Sequence, residues 1–184
     1  MGPMTVDEFL AFEREADRKH EFVEGYAYPW GDQVVGLAGA NRRHNRIVQH
    51  IAARLEDAAE AAGCDVFGPD MLLRVGDAAY YPDVQLVCDP NDRHEQYTQR
   101  PCLIVEVSFD STLRIDHTEK LAAYRTIPTL QAYLIVSQRE RLITRHWRDD
   151  LALWQLETIS GGTVPIPCIA ALLELETVYA RSLA

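Results

Sequence analysis

The segment Leu103-Ile104-Val105-Glu106-Val107-Ser108 sets the architecture of this chain. Leu103, Ile104, Val105 and Val107 surround one carboxylate with aliphatic side chains. A short apolar run of this kind predicts a strand covered on both faces. An ionised acid in such a strand is costly unless it is paired, metal-bound or neutralised. Asp83 stands in a comparable place, after Pro82 and ahead of Val84-Gln85-Leu86-Val87. Two acids on neighbouring apolar strands suggest oxygen ligands for Mg²⁺ or Mn²⁺, which take carboxylates and keep several waters. Taken singly, each acid also fits a strand end where it is solvated or paired with an arginine.

Outward from this segment, helix and strand signals alternate. Thr5-Val6-Asp7-Glu8 has the form of a capping box and predicts a helix to about Glu15, with Val6, Phe9, Leu10 and Phe12 on its apolar face. His20 to Tyr28 alternates polar and apolar, as a strand with one solvated face does, and Gln33 to Leu37 reads as its hairpin partner. Asn41 caps a long helix to about Ala62, closed by Gly63, with Ile47, Val48, Ile51, Ala52 and Leu55 at helical spacing. Strands are expected over about 65–75, 80–88 and 102–108, with a polar loop over 89–100. A helix over about 115–126 ends near Pro128. Further strands are expected near 131–136, 142–148 and 151–156, and a last helical stretch near 169–175. This order predicts an α/β fold with a mixed sheet, in one domain over residues 1–184. Residues 1–3 read as a tag remnant or an alternative start. No GxGxxG or GxxxxGK[ST] supports a nucleotide fold.

Composition bounds the function. With 18 Lys+Arg against 28 Asp+Glu the formal net charge is −10, which argues against broad electrostatic binding of nucleic acid. A local basic strip remains open at Arg42-Arg43-His44, at Arg114, or between Arg139 and Arg148. No apolar run approaches a membrane span and no leader signal stands at the N-terminus, so a cytoplasmic protein without membrane contact is expected. Cys64, Cys88, Cys102 and Cys168 are scattered with no CxxC pair, which gives little support to a zinc knuckle or redox motif. Cys88 and Cys102 read as buried thiols, which fits a reducing compartment.

Lys120 lies fourteen residues beyond Glu106. With Asp116 it forms an i,i+4 pair, and on its own that reads as a surface ion pair. But its helix follows directly from the Glu106 strand, so Lys120 can reach back over the acids and stabilise charge at a transferring phosphate. Pro82-Asp83, Glu106-Val107-Ser108 and a displaced lysine resemble the PD-(D/E)XK nuclease superfamily. Ser108 stands where the pattern usually has its lysine, and Lys120 would be the migrated replacement. Further fragments narrow the resemblance to the Uma-type restriction endonuclease domain family: Met4 through Leu10, Glu21-Phe22-Val23-Glu24-Gly25, His44 through Val48, Ser111-Thr112, Asp116 through Tyr124, and Tyr133-Leu134-Ile135-Val136. The resemblance covers about residues 4–178.

It implies a restriction-endonuclease-like fold, a mixed central β-sheet flanked by helices, around a metal-dependent phosphodiesterase site. Asp83, Glu106 and the carbonyl of Val107 would hold the metal, Lys120 would be the catalytic lysine, and Glu21 would complete the acidic cluster. Three departures stand out. Phe109-Asp110 replaces a Ser-Pro pair, Tyr26 follows Gly25 where an acid is usual, and Tyr81 precedes Pro82 in place of arginine. His44, Arg43 and Arg114 are candidates for phosphate contact. His117 reads as solvated, Ser111 and Thr112 as helix caps, and Tyr124 as a core aromatic. Trp147 and Trp154 suggest an apolar surface, which a homodimer would cover. The leading expectation is a Mg²⁺-dependent endonuclease acting on nucleic acid, DNA foremost, through a metal-activated water. The alternatives are a nuclease-fold binding or assembly module that does not cut, and hydrolysis of a small phosphoester.

Overall fold

Thr5 caps helix α1, Val6–Glu15, as its sequence predicts. The Glu8 N–H donates to Thr5 Oγ1 at 3.2 Å and the Thr5 N–H donates to Glu8 Oε2 at 2.7 Å. The computed structural model describes residues 2–30, 41–108 and 116–182. Within them the stretch His20–Tyr28 is a hairpin and not one strand. β1, His20–Val23, pairs antiparallel with β2, Tyr26–Pro29. Glu24 and Gly25 both take positive φ, 50° and 86°, as a two-residue hairpin turn requires. The alternation runs on through that turn and conceals it. The expected partner, Gln33 to Leu37, lies outside the described residues.

α2, Arg42–Ala61, starts where Asn41 Oδ1 accepts the His44 N–H at 2.9 Å and is closed by Gly63 at φ 70°. Ile47, Val48, Ile51, Leu55 and Ala59 are its buried residues. The two strands expected over 65–75 and 80–88 are each broken in two. Gly68-Pro69-Asp70 separates β3, Asp65–Phe67, from β4, Leu72–Val75. Tyr81-Pro82-Asp83 separates β5, Ala78–Tyr80, from β6, Val84–Val87. Proline removes a ladder donor, and at each break the chain changes sheet. β7, Tyr97–Thr98, interrupts the expected loop, and β8 spans Pro101–Ser108. A π-turn, Asp116–Lys120, leads into α3, Leu121–Tyr124. β9, Ala132–Ser137, β10, Ile143–Arg148, and β11, Trp154–Ile159, follow. The helix expected near 169–175 is instead largely a strand. β12, Thr163–Ile166, pairs with β13, Ala171–Glu174, across a 3-10 turn at Pro167–Ile169, and helix resumes only at Leu175–Val178.

The expected mixed sheet flanked by helices is present, and a second sheet is stacked on it. One runs β11-β10-β9-β8-β6-β3, mixed through the parallel β8/β9 pair. The other runs β2-β1-β5-β4-β7. The odd residues of β8, Leu103, Val105 and Val107, pack with the stripe of α2 and with the C-terminal hairpin. Ile104 points the other way and joins Leu73, Val75 and Tyr80 of the second sheet and Tyr124 of α3. The outer face of the second sheet is covered by α1 through Phe9, Phe22, Leu72 and Ala79. The layers are therefore helix, sheet, sheet, helix. All eight residues of β8 are buried, which is why its sequence is an unbroken apolar run around Glu106.

Cys88 and Cys102 depart from their expected state as buried free thiols. Cys64 is disulfide-bonded to Cys88, and Cys102 to Cys168. Sequence separations of 24 and 66 residues hid pairings that depend on the sheet register.

Two glycines give a test of the turn geometry. A Cβ on Gly25 would meet Pro3 Cβ at 3.2 Å at a φ of +86°, whereas one on Gly63 at φ +70° meets nothing within 4 Å. Gly63→Ala should cost about 1–2 kcal/mol from backbone conformation alone, and Gly25→Ala measurably more. Urea unfolding checks this, and equal losses would contradict the close approach at Gly25.

Candidate functional site

The register of the main sheet brings the two acids together. Val84 of β6 pairs with Val105 of β8, so the same antiparallel register carried one residue further sets Asp83 opposite Glu106. Pro82 ends the ladder there, and the Asp83 carboxylate turns onto the backbone of β8. Its Oδ2 accepts the Val107 N–H at 2.7 Å, and its Oδ1 lies 3.0 Å from His44 Nε2. Glu106 takes its partners from the helix that follows β8. Its Oε1 lies 3.1 Å from Lys120 Nζ and accepts the Tyr124 hydroxyl at 2.9 Å. Lys120 Nζ also lies 3.1 Å from Glu21 Oε1 of β1. Asp83, Glu106 and Lys120 are 5, 5 and 8% exposed. Lys120 is thus no surface residue; the side chain of Asp116, its expected i,i+4 partner, lies outside the described residues.

Lys120 and Tyr124 are four apart, one helical turn, so both face Glu106. Tyr124 is fully buried and held edge-on by Tyr80 and Tyr133, at ring separations of 5.4 and 5.2 Å. Burial first, and then the Glu106 charge, push its hydroxyl well above the ordinary value of 10.0. It therefore stays a donor to Glu106 at any physiological pH. Tyr124 is both a core aromatic and a member of the site.

The N-terminal turn of α2 closes the other side. Asn41 caps the helix and also donates through Nδ2 to Gln138 Oε1 at 3.0 Å. Gln138 Nε2 donates to the Val107 carbonyl at 3.2 Å, and an Arg43 guanidinium N–H donates to the Gln138 carbonyl at 3.2 Å. Gln138 is 5% exposed, and no sequence motif marks it. The available signal was positional, since Ser137-Gln138 ends the strand parallel to β8, with Ser137 in register with Ser108. Sites gather at the carboxyl ends of parallel strands. His44 Nδ1 is buried with no hydrogen-bond partner among the described residues.

The donor chemistry fits a hard cation. Two carboxylates and a backbone carbonyl are oxygen ligands of the kind Mg²⁺ accepts with retained waters. A carboxylate has about four lone-pair positions, so Asp83 can bind its two present partners and still serve a cation. Glu21 stands across Lys120 from Glu106, where it can complete the acidic cluster or hold a metal-bound water. Among the described residues its carboxylate is not drawn into a close three-acid group with the other two, and its Oε1 lies 3.1 Å from Lys120 Nζ. Of the basic candidates, Arg141, Arg145 and Arg148 are occupied by Glu176, Glu157 and the carbonyls of Arg125 and Ile127. Arg43 is exposed. Trp147 lies under Arg145, and Trp154 lies near both Arg125 and Arg148. Arg114, Phe109, Asp110, Ser111 and Thr112 lie outside the described residues, as does the side chain of His117.

The sequence profile described as "Uma2: Putative restriction endonuclease" matches residues 6–178. This chain belongs to the Uma2 family. Two uncharacterized proteins of Synechocystis sp. are similar to it. One, slr1290, is 29% identical over 154 residues, 82% of this chain and 77% of the relative. The other, sll1609, is 28% identical over 168 residues, 89% and 91% of the two chains. A crystal structure from Anabaena variabilis, described as a putative nuclease belonging to DUF820, superposes with a TM-score of 0.75. It covers 98% of this chain and 100% of its own at 15% identity, a likeness of fold. The Uma2 chain accordingly has the restriction-endonuclease-like α/β fold. No helix among the described residues is long and apolar enough to cross a membrane.

The raised Tyr124 hydroxyl gives this Uma2 protein a defined alkaline response. A group whose folded value lies above its unfolded one stabilises fully below the unfolded value and loses that contribution as pH rises through the folded one. Stability should therefore fall as pH climbs past about 10. Tyr124→Phe should be less stable at neutral pH by about 1.5–3 kcal/mol, the range for a hydrogen bond to a charged group, and should show a shallower alkaline loss. Urea unfolding at stepped pH checks both, and an unchanged alkaline slope would contradict the assignment.

Proposed function

We propose that this Uma2 protein is a metal-dependent endonuclease that hydrolyses phosphodiester bonds in nucleic acid, with DNA the foremost substrate. The observation that carries this reading is the 3.1 Å approach of Lys120 Nζ to Glu106 Oε1, beside an Asp83 that the register sets opposite. The lysine absent at Ser108 is supplied from the next helix. Asp83, Glu106 and the Val107 carbonyl are the residues that would hold Mg²⁺, or Mn²⁺ in its place. Once bound, the cation contributes Lewis-acid stabilisation of charge developing at the phosphate and makes a water more acidic.

The remaining contributions belong to the chain itself. Lys120, fixed between Glu106 and Glu21, places a positive charge beside the scissile phosphate position, where burial strengthens it. Tyr124 fixes the Glu106 carboxylate by donating to the same oxygen that Lys120 approaches. His44 and the Val107 N–H fix Asp83, and Gln138 orients the Val107 carbonyl. Substrate docking is assigned to α2. Arg42, Arg46 and Arg181 line an open cleft with Asn45, Gln49 and His50. A local group of guanidiniums offers a phosphate backbone a foothold on a chain whose net charge is −10.

A second reading, a nuclease-fold binding module without catalysis, is favoured by one observation. Asp83, Glu106 and the Val107 carbonyl each already accept hydrogen bonds within the protein. Calorimetry separates the two, because a module would bind DNA without regard to metal and show no Mg²⁺ or Mn²⁺ affinity. For the nuclease, supercoiled, linear and single-stranded DNA should be cut with Mg²⁺ or Mn²⁺ and left intact with chelator. Asp83→Ala and Glu106→Ala should abolish cutting. Lys120→Ala should slow it by about 100-fold or more, measured at a temperature where circular dichroism shows the variant folded, because losing the buried cation also lowers stability. Absence of cleavage of any DNA or RNA form with either metal would overturn the proposal.

A further inference from the structure

The four cysteines are all that the chain contains, and the fold delivers them to one place from four separate elements. Cys64 follows the end of α2, where its N–H donates to the Ala59 carbonyl at 2.8 Å. Cys88 follows β6. Asp65 pairs with Val87, so Cys64 and Cys88 come next in the same ladder, and their Cα atoms are 4.2 Å apart. Cys102 is the second residue of β8, where the β6/β8 register shifts beside Val87. Cys168 sits in the 3-10 turn between β12 and β13.

The two disulfides do not stand apart. Cys88 Sγ lies 3.5 Å from Cys102 Sγ, joining one pair to the other. The sulfurs of Cys88, Cys102 and Cys168 all lie within 4.8 Å of one another, and Cys64 is bonded to the first of them. Four thiolates around a tetrahedral Zn²⁺ at about 2.3 Å have sulfurs roughly 3.8 Å apart. The Cys88–Cys102 approach of 3.5 Å is already on that scale, and opening the two disulfides leaves Cys64 and Cys168 each next to one member of that pair. Among the described residues it is the one group of three or more His, Cys, Asp or Glu ligand atoms drawn this close. Cys64 and Cys102 are buried, while Cys88 and Cys168 are partly exposed, so an ion and a reductant have a way in.

We propose that these four cysteines form a binding site for one thiophilic divalent cation of the zinc class, and that the two disulfides are the oxidised, metal-free state of the same site. The interconversion balances with an external dithiol as reductant. Each protein disulfide takes two electrons and two protons from one dithiol, which closes to its own disulfide, so two dithiols yield four cysteine thiols. Binding one Zn²⁺ then forms four Zn–S bonds and releases four protons. The site is structural rather than catalytic. Cys102 is four residues from Glu106 along β8, about 13 Å at strand rise. Its soft donors discriminate against Mg²⁺, as the hard oxygens of the acid site discriminate for it. In either state it fastens the 3-10 turn of the C-terminal hairpin to β6, β8 and the end of α2.

The test is cobalt substitution of the whole protein, reduced with a phosphine and kept anaerobic. One equivalent of Co²⁺ should give the visible bands of a tetrahedral cobalt thiolate, and one equivalent of Zn²⁺ should bleach them. A thiol reagent should find four reactive cysteines in the reduced metal-free protein and none once zinc is bound. Asp83→Ala should leave the spectrum unchanged, while Cys168→Ser, at a partly exposed turn, should lose it. If reduction loosens the fold, zinc should restore the original melting temperature. No thiolate bands with Co²⁺, bands that survive Cys168→Ser, or a spectrum lost in Asp83→Ala would each overturn the proposal.

Discussion

The site depends on a buried ammonium between two carboxylates. Glu106 stands in a strand covered on both faces, and a charge there is tolerated only with close partners. Lys120 is that partner, and it reaches Glu21 at the same time. One cation thereby ties β8, the helix after it, and the first hairpin of the other sheet. Removing one member of such a buried pair typically costs about 3–5 kcal/mol, because the remaining charge is left uncompensated. The groups assigned to the chemistry are therefore also groups the fold needs.

Much of this was legible from the chain. An acid inside an unbroken aliphatic run marked Glu106, the Pro-Asp pair before a second apolar run marked Asp83, and the lysine in the following helix supplied their missing cation. Capping residues placed α1 and α2 nearly to the residue, because Thr5, Glu8, Asn41 and Gly63 act through local hydrogen bonds and backbone conformation. The errors arose where a local signal does not carry the decisive information. The Glu24-Gly25 turn sits inside a continuous alternation, and Pro69 and Pro82 divide what periodicity reads as single strands. Ala171–Glu174 is apolar enough for helix or strand, and pairing with Thr163–Ile166 decides it.

The polar network around the acids was the least legible part. Gln138 and Tyr124 matter through what they touch. Gln138 reaches a carbonyl 31 residues earlier in the chain, and no motif signals that. The spacing of Tyr124 marks it as core, and it is core, but its hydroxyl donates to Glu106. The cysteines show the same limit. Their spacing resembles no metal or disulfide motif, yet the sheet register gathers them.

We propose the Asp83–Glu106 pair, with Lys120 beside it, as a divalent-cation site. A crystal soaked in Mn²⁺, with anomalous scattering collected to locate the ion, tests it most directly. A Mn²⁺ peak is expected between the Asp83 and Glu106 carboxylates, within bonding reach of the Val107 carbonyl, with Lys120 Nζ still beside Glu106. A crystal with no Mn²⁺ at these carboxylates, at a concentration saturating for exposed acidic sites, would contradict it.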